Sequence, residues 1–229
     1  MLTLNKQSPA SSKQLLEAYK SYRAISREII NELSKYIPKD AICMCGKKLG
    51  IIKGKTLLLN KEDEVAVLFN YCYFHHYIQD KNALDRYVAT NLDKLPEAKK
   101  EVALVMQKAK FSIFSIEKTM GYGGVLVTDI MRGRQELLID QGFSKTAAPG
   151  LLLASTTLHY PEFITTSGTS LPLNNIFDEF EKFLGPYGED FDRFDSLSKM
   201  RQSKFIAQLL RICLREQASD NIEYRDGNR

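Results

Sequence analysis

The stretch FSIFSIEKTMGYGGVLVTDIMRGRQELLIDQGFSKTAAPGLLLASTTLHYPEFITTSGTSLPL, from Phe111 to Leu173, decides the fold. Five runs of apolar and β-branched residues alternate with turn chemistry: Gly121 to Gly124, Arg132-Gly133, the small-residue loop Gly142 to Gly150, and Pro161-Glu162. Glycine supplies the positive φ that tight hairpins need, and short extended runs between such turns read as strands. This spacing predicts an antiparallel five-stranded sheet or a small SH3- or OB-like barrel over 111–173.

The flanks read as helices, so the class is α+β. Residues 1–110 form a mainly helical segment. Ser11 or Ser12 caps a first helix with apolar positions at Leu15, Tyr19, Ile25, Ile29 and Leu33, and Pro38 closes it. A short helix over Ala41 to Leu49 precedes an extended Thr56 to Leu59. Asn60 starts a helix with Val65, Leu68, Phe69, Cys72, Tyr73 and His76 on one face, and Asn82 and Pro96 start two more. Residues 174–229 supply helices expected to pack back on the N-terminal part, the last from Ser196 to Gln217, giving one compact unit.

Composition bounds the function. The chain of 229 residues is long enough for a sizeable core. No apolar run approaches the ~20 residues needed to span a bilayer, so no membrane partner is expected. Four cysteines do not make a disulfide framework in a chain of this length, which points to the cytoplasm. The net charge of +4 is uneven: residues 1–110 hold 19 Lys and Arg against 12 Asp and Glu. That surplus includes a candidate basic patch at Lys47, Lys48, Lys53 and Lys55. A lysine-only patch is read first as a solvated face, because phosphate readers usually include bidentate arginine.

Motifs for chemistry are few. Gly50-x-x-x-Gly54-Lys55-Thr56 is one residue short of a phosphate loop and is followed by an extended run, so it reads as a glycine turn. Cys43, Cys45, Cys72 and His76 are the metal-type residues, but a C-x-C pair is tighter than zinc sites use. No nucleophile–base pair adjoins in sequence. No catalytic, cofactor or metal residue is therefore assigned, and whether the chain is an enzyme stays open. Asp129, Arg132, Arg134 and Asp140 form a candidate polar patch on neighbouring β segments, read first as cross-strand charge pairing on the solvent face.

The order LGIIKGKTLLLNKEDEVAVLFNY, then the strand-rich stretch with its D-x-x-x-G hairpin (Asp129 to Gly133), then TSGTSLPL resembles a group of uncharacterised bacterial proteins over about residues 40–173. Some of that group carry a C-terminal Cys-rich metal motif of the SEC-C type, which this sequence lacks. The group has no established activity, so the resemblance implies no site residues. The first functional reading is a non-enzymatic protein-interaction or adaptor protein with an unknown protein partner. The alternatives are weak nucleic-acid binding through the barrel and the lysine-rich 39–61 region, and an enzyme of unrecognised type.

Overall fold

A computed structural model describes residues 11–53, 56–57, 62–120, 122–188, 191 and 193–218. The N-terminal layer is helical: α1 Ser12–Leu33, α2 Ala41–Leu49, α3 Glu62–Asn70, α4 Ala83–Asn91 and α5 Glu97–Gln107. A two-stranded ribbon, β1 Ile52–Lys53 and β2 Thr56–Leu57, lies between α2 and α3. The helix starts follow local chemistry. The Ser11 hydroxyl accepts from the Gln14 amide while the Gln14 side chain accepts from the Ser11 amide, and Asn82 and Asp85 repeat this box at α4. α2 stops at Gly50, whose φ of 77° is left-handed. The expected cap at Asn60 and residues Gly54, Lys55, Leu58 and Leu59 lie outside the described residues.

Five strands follow: β3 Lys110–Thr119, β4 Gly124–Asp129, β5 Arg134–Ile139, β6 Leu152–His159 and β7 Ile164–Pro172. They close into a barrel in the order β3-β4-β5-β7-β6, with β6 returning to β3. Within the barrel this is strand order 1-2-3-5-4, the OB arrangement. Four pairings are antiparallel, but β5 pairs β7 in parallel at Leu138 and Ile164, so the sheet is mixed rather than antiparallel throughout. The correction has a simple cause. The β6–β7 hairpin returns β7 in the direction of β5, and closure then joins two like-directed strands.

Two cores share these strands. Phe114, Ile116, Val125, Val127, Leu138, Leu153 and Ile164 point inward and form the apolar lumen, closed by Phe143. The outward residues Phe111, Ile113, Ile139, Ala154 and Leu158 join the helical core instead. β6 is buried on both faces, which is why it reads as a nearly unbroken apolar and β-branched run. Next come α6 Phe177–Leu184 and α7 Lys199–Arg215. Phe205, Ile206, Leu209 and Cys213 of α7 enter the same core as Ile29 and Leu33 of α1. The principal neighbours of α7 are α2, α6 and the turn Tyr71–His75.

That turn continues α3 as five residues of π-helix. The wider spiral changes the phase of the side chains, so Tyr71 to His76 are all buried rather than only one face of them. Tyr71 answers the core with its hydroxyl 2.8 Å from Ser203 Oγ on α7.

Candidate functional site

The lumen is apolar at one end and polar at the other. Register places Ser112, Asp129, Glu136, Thr157 and His159 on the inner face, at the end where β3, β5 and β7 begin and β4 and β6 finish. The β4–β5 hairpin builds the mouth. Asp129 Oδ1 accepts from the Met131 amide, and Gly133 takes the left-handed φ of 63° that lets the chain turn back. This sets Arg132 over the opening, with Nη1 2.7 Å from Asp129 Oδ2 and 3.0 Å from Ser112 Oγ. Its other edge meets Asp195, just before α7, with Nε and Nη2 at 2.8 and 2.6 Å from the two carboxylate oxygens. Such a bidentate pair is planar and charge-assisted. The Arg132 hydrogen bonds hold the Asp195 carboxyl below its ordinary range.

Behind Arg132 each hydroxyl proton can be placed. Thr157 Oγ1 donates to the Lys110 carbonyl at 3.1 Å, so it accepts from Ser112 Oγ at 3.3 Å and from His159 Nε2 at 3.0 Å. The His159 proton therefore sits on Nε2, and its bare Nδ1 lies 3.6 Å from Glu136 Oε2. Burial, then Lys110 and the arginines, pushes His159 down to about 4, so this contact is not an ion pair at neutral pH. Burial likewise raises Glu136, whose Oε1 is held by Arg134 Nε at 2.6 Å.

A second relay runs on the outer face of β6. His75 Nε2 lies 2.7 Å from Thr156 Oγ1, Thr156 donates to Asn70 Oδ1 at 2.9 Å, and Asn70 Nδ2 donates to Ser167 Oγ at 2.6 Å. The Thr156 proton is used, so His75 carries its own on Nε2 and leaves Nδ1 as an acceptor. Burial, then Lys199, lowers His75 to about 3, so it is neutral.

The two relays approach one cleft of about 300 Å³ between the barrel mouth, α5 and α7. His75, Tyr77, Phe111 and Arg132 line it, with Lys108, Lys110, Lys199 and Asp195. Lys110 Nζ stands 3.6 Å from Asp195 Oδ2, and Lys199 Nζ lies 5.8 Å from the Tyr77 ring centre. Two larger depressions, about 600 and 490 Å³, are more open to solvent. The second carries Lys35, Lys81 and Arg86, but Arg86 is tied to the Ile78 carbonyl.

Of the four residues of the polar patch, Asp129 and Arg132 are bonded to each other and Arg134 stands near them on Glu136. Asp129 faces the lumen, not solvent. Asp140 lies beyond the other end of β5, where its Oδ2 accepts from Thr166 at 2.6 Å. Lys47 and Lys48 are exposed on the last turn of α2, with Lys48 over the Tyr71 ring. The Lys53 side chain and Lys55 lie outside the described residues.

The neighbouring Cys72 thiol and burial hold Cys45 well above the usual thiol range. Cys43 is exposed, and the buried ring nitrogens of His76 have no hydrogen-bond partner. Among the described residues no group of three His, Cys, Asp or Glu is placed to hold a metal, and no helix is long and apolar enough to cross a membrane. The cleft residues Lys110, Lys199, His75 and Asp195 were missed by sequence reasoning. They come from separate elements, and the nearest signal was the D-x-x-x-G hairpin.

No match was found among curated proteins or among solved structures. A family model does match residues 13–180, which take in α1 through the first half of α6 and therefore the whole barrel. The chain belongs to this family, a family of unknown function designated DUF7986.

Proposed function

We propose that this protein binds an oxyanion, a carboxylate or phosphate either free or displayed on a protein partner, in the cleft between the barrel mouth and α7. One observation carries the reading. Lys108, Lys110 and Lys199 meet in one half-open cleft beside Arg132, whose own donors are committed to Asp129, Ser112, Phe111 and Asp195, and Asp195 is the one carboxylate among the described lining residues. Converging cations in a partly desolvated site favour an anion more strongly than the same charges on open surface. The interaction role expected from the sequence takes this concrete form, with the anionic group as the feature of the partner that is read. Four free cysteines support a reducing, cytoplasmic setting.

The barrel alternative has less support. The outward residues of β4 and β5 (Leu126, Thr128, Gln135, Leu137 and Ile139) include no aromatic and no cation. Nucleic-acid binding on that OB face uses both.

Calorimetric titration of the full chain with phosphate, pyrophosphate and citrate, and with a phosphorylated and a glutamate-rich peptide, tests the proposal. Binding should weaken about tenfold on Lys110→Ala or Lys199→Ala, equivalent to about 1.4 kcal/mol, and weaken again as salt rises. Stronger binding by the peptides than by the free anions identifies a protein as the source. Absence of binding by every anion and both peptides at millimolar concentration overturns the proposal.

A further inference from the structure

Resting on the anion-binding reading, we infer that the ligand is a mononucleotide with an amino-bearing base. The residues that line the cleft carry uncommitted acceptors as well as cations. Gln107 lines it, and its Nε2 is committed to Asp85 Oδ1 at 3.0 Å. Gln202 lines it from α7, and its Nε2 is committed to the carbonyls of Phe194 and Leu197 at 3.0 and 3.1 Å. Those partners can only accept, so the orientation of each amide is fixed and each Oε1 is left as an acceptor. His75 adds a third acceptor, because its Nε2 proton is given to Thr156 and Nδ1 is bare. An oxyanion accounts for the lysines but offers no protons to these three acceptors. They suit a ligand with an anionic end and an edge rich in N–H donors. The Tyr77 ring supplies a flat apolar surface on the same wall, already approached by Lys199. Aromatic side chains stack on nucleobases with little regard to sequence, and exocyclic amino groups are the donors a glutamine carbonyl reads. A cleft of about 300 Å³ is at the small end of ligand sites and matches a single nucleotide rather than a strand. In this arrangement the phosphate lies toward Lys110 and Lys199, and the base toward Gln107, Gln202 and His75.

Calorimetry on the full chain, comparing AMP, CMP, ribose 5-phosphate and inorganic phosphate, tests this. AMP or CMP should bind at least tenfold more tightly than ribose 5-phosphate, and Gln107→Met should remove most of that difference while leaving ribose 5-phosphate binding unchanged. Equal binding of nucleotide and ribose 5-phosphate overturns the inference and leaves the oxyanion site standing. Failure of all four ligands to bind overturns the inference; the underlying reading falls with it only if pyrophosphate, citrate and both peptides also fail to bind. A nucleotide preference that survives both Gln107→Met and His75→Gln, each checked to be folded by its melting curve, also overturns it.

Discussion

His75 and His159 make the stability of this protein depend on pH. Both are held neutral, with values near 3 and 4 against an ordinary 6.5. In the unfolded chain they take up protons below about 6.5, whereas the native state resists until its own lower values are reached. Stability is therefore flat above that point and falls as pH drops from about 6.5 toward 4. The raised Glu136 acts in the opposite sense, since it favours the protonated native form. The urea midpoint should be lower at pH 5 than at pH 7, and His75→Gln should reduce the difference; identical midpoints at the two pH values would contradict the assignment. Asp129 belongs to the same scale. It is 1% exposed and bonded to Arg132, so Asp129→Ala leaves a part-buried guanidinium short of one partner. Chemical denaturation should show a loss of about 3 kcal/mol, and a loss under about 1 would show that Asp195 alone suffices for Arg132.

At the scale of elements, α7 carries the largest packing burden. Leu209 is completely buried in the core it shares with α1. Leu209→Ala should cost about 2–5 kcal/mol in a denaturant titration. A change near zero would mean that the helix face collapses freely onto its neighbours. This face was legible in the sequence, as were the capping residues Ser11 and Asn82 and the turns that separate the strands, because each signal is local. The π turn was not. Val65 to His76 has a helical period, and only tertiary packing shows that the spiral widens at Tyr71 and turns His75 toward Thr156. The candidate site was legible only at Asp129 and Arg132, which share one hairpin. Their third partner, Asp195, arrives 63 residues later through the fold, and no spacing rule reaches that far.

At the scale of the whole molecule, α1 to α5, the outer face of the barrel and α7 contribute to one continuous core. The helical segment, β module and C-terminal helices are accordingly proposed to unfold as one cooperative unit. Truncation after Gly188 removes Phe205, Ile206, Leu209, Leu210 and Cys213 from that core and exposes their partners. The shortened chain should aggregate. A monomeric product that melts cooperatively at the full-length temperature would show instead that α7 is an accessory.

The parallel seam has a consequence of its own. Every other junction of the barrel is a ladder of several residue pairs, but β5 meets β7 at Leu138 and Ile164 alone. Next to that pair, the Thr166 hydroxyl donates to Asp140, whose other oxygen accepts from the Gly142 and Phe143 amides. A side chain thus fastens the one line where the backbone barely does. Asp140→Ala would loosen this seam, and wherever it opens two unpaired strand margins become able to recruit a second molecule. Deuterium uptake at Ile164 and Thr165 should then outrun uptake on β3 by orders of magnitude. At this seam one carboxylate works beside a single backbone pairing and the apolar lumen.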